Sequence, residues 1–169
     1  ASLSISLVSF AFPAGLPREA DMVFDARFLR NPHYDPSLRP GTGLDPEVAA
    51  YIRADPDYEA FVARMDALLT LVLPRFVEEG KKYATIAIGC TGGRHRSVHL
   101  VDRLSGRLRS LNWLVNVTHR ELDRSELSRE KKPDDITAHR AEAMDLRTDS
   151  RQEEAAREPA PAPHQAQEA

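Results

Sequence analysis

Residues 83–104, YATIAIGCTGGRHRSVHLVDRL, decide how this chain folds. The run from Tyr83 to Ile88 is short and apolar, which suits a buried strand. A helix follows over about residues 96–109, where apolar positions recur at helical spacing. Between the two lies Gly89-Cys90-Thr91-Gly92-Gly93-Arg94-His95-Arg96-Ser97. In an open parallel sheet, ligands gather beyond the carboxyl ends of the strands, where this loop falls. Its glycines let the backbone turn sharply and expose N–H groups, and the helix start adds unsatisfied donors and the positive end of a dipole. Arg94, Arg96 and His95 add charge and directed hydrogen bonds. These features favour an oxyanion.

Elsewhere the chain completes an α/β pattern. Residues 3–12 mix Ile, Leu, Val and Phe with serines and predict a strand, and residues 22–28 predict a second. Residues 30–43 hold three prolines and two glycines, with Asn31 and His33 among them, and form a long loop on a fixed course. Asp45-Pro46 and Asp55-Pro56 each set a capping side chain before a proline, so a helix is expected to start at each. The second carries an apolar stripe from Tyr58 to Phe76, with a kink expected at Pro74 and a stop at Gly80. Residues 113–117 supply the last strand, with Trp113 in the core. The order predicts one α/β domain over residues 1–128, with a mainly parallel sheet flanked by helices. From Arg129 onward the large aliphatic residues are Ile136, Met144 and Leu146, too few to offset the entropy of ordering the segment. Residues 129–169 are therefore expected to be a disordered tail, with transient helix near residues 137–146.

Composition narrows the class of protein. The chain has 169 residues, 41% hydrophobic and 29% charged, with a net charge of −3. No run approaches the eighteen or so apolar residues needed to cross a bilayer, so no membrane association is expected. A lone Cys90 argues for a reducing cytoplasm and against a disulfide-stapled fold. Six scattered histidines and a cysteine without a spaced partner give no metal site. The chain opens at Ala1, not methionine, and enters a strand at once, as a fragment of a longer protein would. Charge is uneven: residues 1–79 carry 7 basic and 12 acidic groups, residues 80–128 carry 9 and 4, and residues 129–169 carry 7 and 10. A basic centre in an acidic chain suits an anionic ligand, a phosphate ester or an RNA backbone, and also fits ordinary surface.

Several chemistries compete for the glycine loop. A bare strand-to-helix turn would not need so many donors. The nucleotide-binding pattern G-x-x-x-x-G-K-[ST] is absent. Five residues separate Cys90 from Arg96, with Ser97 next, which is the Cys-x5-Arg-Ser arrangement of cysteine-dependent phosphatases. Helix dipole and arginine charge lower a thiol pKa, so a thiolate nucleophile is an open alternative. Its general acid would be Asp25 or Asp35, neither indicated strongly. An RNA-binding module that takes no metabolite is a third possibility.

The runs VSFAFPAGLPREADMVFDARFLRNPHYDPSLRPGTGLDPEVAAY and YATIAIGCTGGRHRSVHLVDRL resemble the C-terminal domain of the RapZ family, the bacterial RNase adapter proteins also called YvcJ-type. The likeness spans about residues 3–124. It implies a phosphofructokinase-subdomain-like fold and a pocket that senses glucosamine-6-phosphate without turning it over. It also implies binding of small regulatory RNA, presentation to RNase E, and a homo-oligomer. A phosphorylated amino sugar is thus the expected ligand, with no cofactor and no catalytic residue. Backbone N–H groups of Thr91, Gly92 and Gly93, with Arg96 and Ser97, would hold the phosphate, and His95 and His33 the phosphate or sugar. His33 matches a family position implicated in the pocket. Asp25 and Arg27 are open to a ligand role or an ion pair, and Arg39 to clamping phosphate or bonding loop carbonyls. His119 and Arg120, after the last strand, would face the same crevice. Arg94, Arg103 and Arg107 along the helix, with Arg120 and Arg124, would extend a surface for RNA.

Two departures limit the transfer. Family members usually carry an N-terminal P-loop domain, and these residues contain none, so ATP or GTP binding is not expected here. The RNA-binding branch ends in a lysine-arginine cluster, whereas THRELDRSELSREKKPDD is interrupted by Glu121, Asp123, Glu126 and Glu130. RNA affinity depends on phosphate neutralisation, so this mixture should weaken it, with Lys131 and Lys132 as partial compensation.

Overall fold

The computed structural model describes residues 3–130. The chain divides into a unit Ala1–Leu127 and a second, Ser128–Ala169, and the fold is that of the first. Its strands are β1 (Ser4–Ala11), β2 (Met22–Asp25), β3 (Tyr83–Cys90) and β4 (Leu114–His119). Its helices are α1 (Pro46–Arg53), α2 (Tyr58–Glu78), α3 (Arg96–Ser110) and α4 (Arg120–Glu130), with 3-10 turns at Phe12–Ala14 and Pro32–Tyr34. The strands form one sheet in the order β2-β3-β1-β4, with every pair parallel.

This order explains where the helices lie. The crossovers from β2 to β3 and from β3 to β4 step across the sheet in one direction, so right-handed connections place α1, α2 and α3 on one face. Leu3, just before β1, with Ile5 and Leu7 of β1 and Ala84, Ile86 and Ile88 of β3, point to that face, the alternation a strand imposes. There they pack with Val62, Met65, Leu69 and Leu73 of α2 and with Leu100, Leu104 and Leu108 of α3. Burying such side chains contributes roughly 1.5–3 kcal/mol each. The opposite face holds a small cluster of Val8, Phe10 and Ala87 with Phe12 and Ala20.

The expected α/β architecture is present, with several shifts at its boundaries. The second helix starts at Tyr58, not at Pro56, and is entered through a turn in which the Tyr58 N–H donates to the Asp55 carbonyl at 3.1 Å, while the Asp55 carboxylate accepts from the Asp57 and Arg30 amides. Asp45 precedes α1, but its carboxylate accepts from the Thr42 amide instead of capping. α2 continues through Pro74 to Glu78. β2 is shorter than expected and ends at Asp25. α4 was not expected from its charged sequence, and it takes in Arg129 and Glu130, the first residues assigned to the tail. The rest of that tail, with residues 137–146 and Lys131 and Lys132, lies outside the described residues. Among the described residues, no helix is long and apolar enough to cross a membrane.

Candidate functional site

Because all four strands run the same way, their carboxyl ends share one edge of the sheet. A cavity of about 470 Å³ opens there, lined by Asn31, His33, Tyr34, Arg39, Cys90, Thr91, Gly92, Arg94, His95 and Arg96. One wall is the β3–α3 loop with the first turn of α3, and the other is the proline-rich loop after β2. None of these ten residues is acidic. Helix amides and dipole add to the positive character of this end.

Arg96 is the central side chain. It is 3% exposed, yet it reaches the cavity wall. Its Nη1 donates to the carbonyls of Arg27 and Leu29, the latter at 3.0 Å, and its Nη2 to Thr91 Oγ1 at 3.4 Å. Its Nε is buried with no hydrogen-bond partner. A buried cationic donor left open costs free energy unless something pairs with it. His95 Nε2 donates to the Arg39 carbonyl at 3.1 Å, which joins the two walls. Burial holds His95 below the usual imidazole range, so at neutral pH it brings hydrogen bonding, not charge.

The loop residues divide by direction. Thr91 and Gly92 line the cavity, whereas the Gly93 amide turns inward and donates to Cys90 Sγ at 3.3 Å. Gly93 has φ +67°, and a Cβ there would sit 2.8 Å from the Ala11 nitrogen, so only glycine fits. Ser97 is fully buried and accepts from the Cys90 thiol at 3.1 Å, away from the cavity wall.

Other candidates lie elsewhere. Asp25 and Arg27 form a half-exposed ion pair at 2.6 Å rather than a buried one, and neither lines the cavity. Arg27 holds the Asp25 carboxyl below the usual carboxylate range, and its own guanidinium lies over Phe12. Arg39 does both things considered for it: Nε donates to the His33 carbonyl, and the residue lines the cavity. His119 bonds Ser9 Oγ through Nδ1 at 2.8 Å, with burial keeping it below the usual range. Arg120 donates to Glu121 and to the Gly15 carbonyl at 2.6 Å. A Cβ on Gly93 would meet Glu121 at 2.4 Å, so the gap at the end of β1 is filled, and His119 and Arg120 lie outside the cavity lining. Arg103 pairs with Asp66 of α2, and Arg124 approaches Glu121 at 3.5 Å. Arg94, placed by sequence with the RNA surface, lines the cavity, while Arg107 is exposed on α3.

Sequence reasoning did not single out Asn31 or Tyr34 as lining residues. Both stand in the run Asn31-Pro32-His33-Tyr34 already singled out for His33, and the 3-10 turn at Pro32–Tyr34 presents them together. Among the described residues, no three His, Cys, Asp or Glu side chains come together as a metal-binding group.

Residues 3–123 match the family described as the RapZ C-terminal domain. A nucleotide-binding protein of Granulibacter bethesdensis is 73% identical over 118 residues, 70% of this chain and 36% of that protein. One from Gluconobacter oxydans is 62% identical over 128 residues, 75% of this chain and 40% of its own length. Another, from Rhodospirillum rubrum, is 58% identical over 120 residues, 71% of this chain and 38% of its own length. The chain thus spans well under half of these relatives.

Proposed function

The chain belongs to the RapZ C-terminal domain family, and on that premise we propose that it is a non-catalytic regulatory domain whose cavity binds glucosamine-6-phosphate. The observation that carries this reading is Arg96, a nearly buried guanidinium on the cavity wall whose Nε has no partner. A phosphate oxygen in the cavity would meet this charge and the Nη2 that otherwise reaches only Thr91 Oγ1 at 3.4 Å, with the start of α3 adding amides and dipole. Arg39 and Arg94 supply further positive charge from the two walls, and among the described residues no lining carboxylate opposes an anion.

The ligand's occupancy would be coupled to a small RNA and to RNase E, with assembly into a homo-oligomer. On this chain the proposed RNA surface is thin. Arg103, Arg120 and Arg124 are each near a carboxylate, which leaves Arg94 and Arg107 as the stronger phosphate contacts. The thiol phosphatase stands lower, since the Cys90 thiol is buried and bonded to Ser97 and the cavity lining offers no carboxylic acid to protonate a leaving group.

Calorimetry with glucosamine-6-phosphate against plain glucosamine tests the proposal. Binding of the ester but not the free sugar is expected; absent or equal binding of both overturns it.

A further inference from the structure

We infer that Tyr34 recognises the ammonium group of the ligand through the face of its ring. The inference rests on reading the cavity as an amino-sugar phosphate site and concerns how the amine is told from a hydroxyl. A cationic group is usually met by a carboxylate, and among the described residues none lines this cavity. The nearby carboxylates are engaged: Asp25 with Arg27, and Asp35 with the amide and hydroxyl of Ser37. The neutral side-chain oxygens are also in use. Asn31 Oδ1 accepts from the His33 amide, and Thr91 Oγ1 from Arg96.

Tyr34 differs from these. It lines the cavity while 78% exposed, the highest exposure among the large hydrophobic residues described. It is nonetheless held in place. The 3-10 turn at Pro32–Tyr34 is fixed by the Asn31 side chain, by Tyr34 N–H donating to the Asn31 carbonyl at 3.2 Å, and by Arg39 Nε donating to the His33 carbonyl at 2.7 Å. Its ring meets the His33 ring at a steep angle, with centroids 6.1 Å apart. Holding an exposed aromatic ring on a braced turn forgoes the burial that would otherwise stabilise it.

An aromatic face is electronegative and attracts cations, ligand ammonium groups included. The chain uses this attraction elsewhere: Arg27 lies 3.9 Å above Phe12, and Arg30 lies 4.1 Å above Tyr51. Among the described residues, no Lys or Arg lies over Tyr34. The ring stands free beside a cavity whose fixed charges suit only the other end of the ligand. Phosphate would set the register on Arg96, and Tyr34 would read the amine.

The test is calorimetry on the full chain with inorganic phosphate, glucose-6-phosphate and glucosamine-6-phosphate, for wild type, Tyr34→Leu and Tyr34→Phe. Wild type should prefer the amino sugar phosphate over glucose-6-phosphate by about three- to fivefold, the range an exposed cation–π contact supplies. Tyr34→Leu should abolish that preference while changing inorganic phosphate binding by less than about twofold, and Tyr34→Phe should keep it. A preference that survives in Tyr34→Leu, or is lost equally in Tyr34→Phe, overturns the role of the ring and leaves the phosphate site standing. If neither ester binds wild type, the reading of the cavity itself fails.

Discussion

Gly43 lies against the carbonyl of His95 with no room for a side chain: a Cβ on Gly43 would come within 2.2 Å of that oxygen and 2.4 Å of the His99 nitrogen. The Gly43 amide donates to the Arg94 carbonyl at 2.8 Å, so the loop that carries Arg39 is seated directly on the start of α3. The two walls of the cavity are held at a fixed spacing by this contact and by the bond from His95 to the Arg39 carbonyl. Gly43→Ala should therefore both destabilise the fold and open the cavity. Backbone overlap cannot be relieved by a rotamer change, and a loss of about 2–3 kcal/mol is expected. Urea unfolding gives the first effect, and phosphate-ester affinity gives the second.

Arg96 ties α3 to the segment after β2 through the carbonyls of Arg27 and Leu29. Lysine keeps the charge but not the planar fork, so it cannot serve both carbonyls and a bound oxyanion. Arg96→Lys should fold with a loss of about 1–3 kcal/mol from the orphaned carbonyls and should lose most of its affinity for the ester. Thermal unfolding and calorimetry on one preparation separate these effects.

Stability should fall on acidification, and His99 should be the main cause. It is 5% exposed, hydrogen-bonded to Tyr58 Oη at 2.7 Å, and pushed down to about 4 by burial. In the unfolded chain its pKa is about 6.5. Between these values the unfolded state binds the proton and the native state does not, so stability is full above about pH 6.5 and declines as pH drops through about 4. The whole effect is of the order of 3 kcal/mol. Burial shifts His95 and His119 in the same direction. Melting temperatures between pH 7 and pH 4 should flatten in His99→Gln, and an unchanged slope would remove His99 from the account.

Cys90 should be inert. On the reading proposed above, the wild-type chain releases no phosphate from an aryl phosphate ester, and Cys90→Ser alters only stability, by about 1 kcal/mol, through its contacts with Ser97 and the Gly93 amide. Turnover that disappears in Cys90→Ser would establish the phosphatase instead.

The arginines of α3 should separate in an RNA titration. Arg107→Ala should reduce the slope of log affinity against log salt by about one. Arg103→Ala should leave that slope unchanged and cost about 1 kcal/mol of stability, because its guanidinium already engages Asp66 at 2.6 Å and 3.0 Å. Filter binding at several salt concentrations measures the first, and denaturant unfolding the second.

Much of this was visible in the order of residues. The run from Tyr83 into α3 combines an apolar strand, two adjacent glycines and a basic helix start, and each of these is a local signal. The strand-loop-helix unit was therefore legible, as was the buried stripe of α2. α4 was not, because its charged residues carry little helical periodicity and its start abuts β4. The start of α2 at Tyr58 was not legible either, because the chain enters it through a turn closed by Tyr58 N–H on the Asp55 carbonyl, and Asp55 also holds the Arg30 amide 25 residues away.

Local chemistry in the sequence determined that an α/β domain would present a glycine-rich, basic loop at a helix start, since strand pattern, turn residues and helix dipole all act within a few residues. Only the tertiary structure decided which arginines would be spent. Arg103 and Arg120 meet Asp66 and Gly15 across 37 and 105 residues, while Arg96 lines the cavity with a buried Nε that no acceptor among the described residues meets. A guanidinium bonds whichever acceptor the packed chain brings within about 3 Å, and that proximity arises only when distant segments come together.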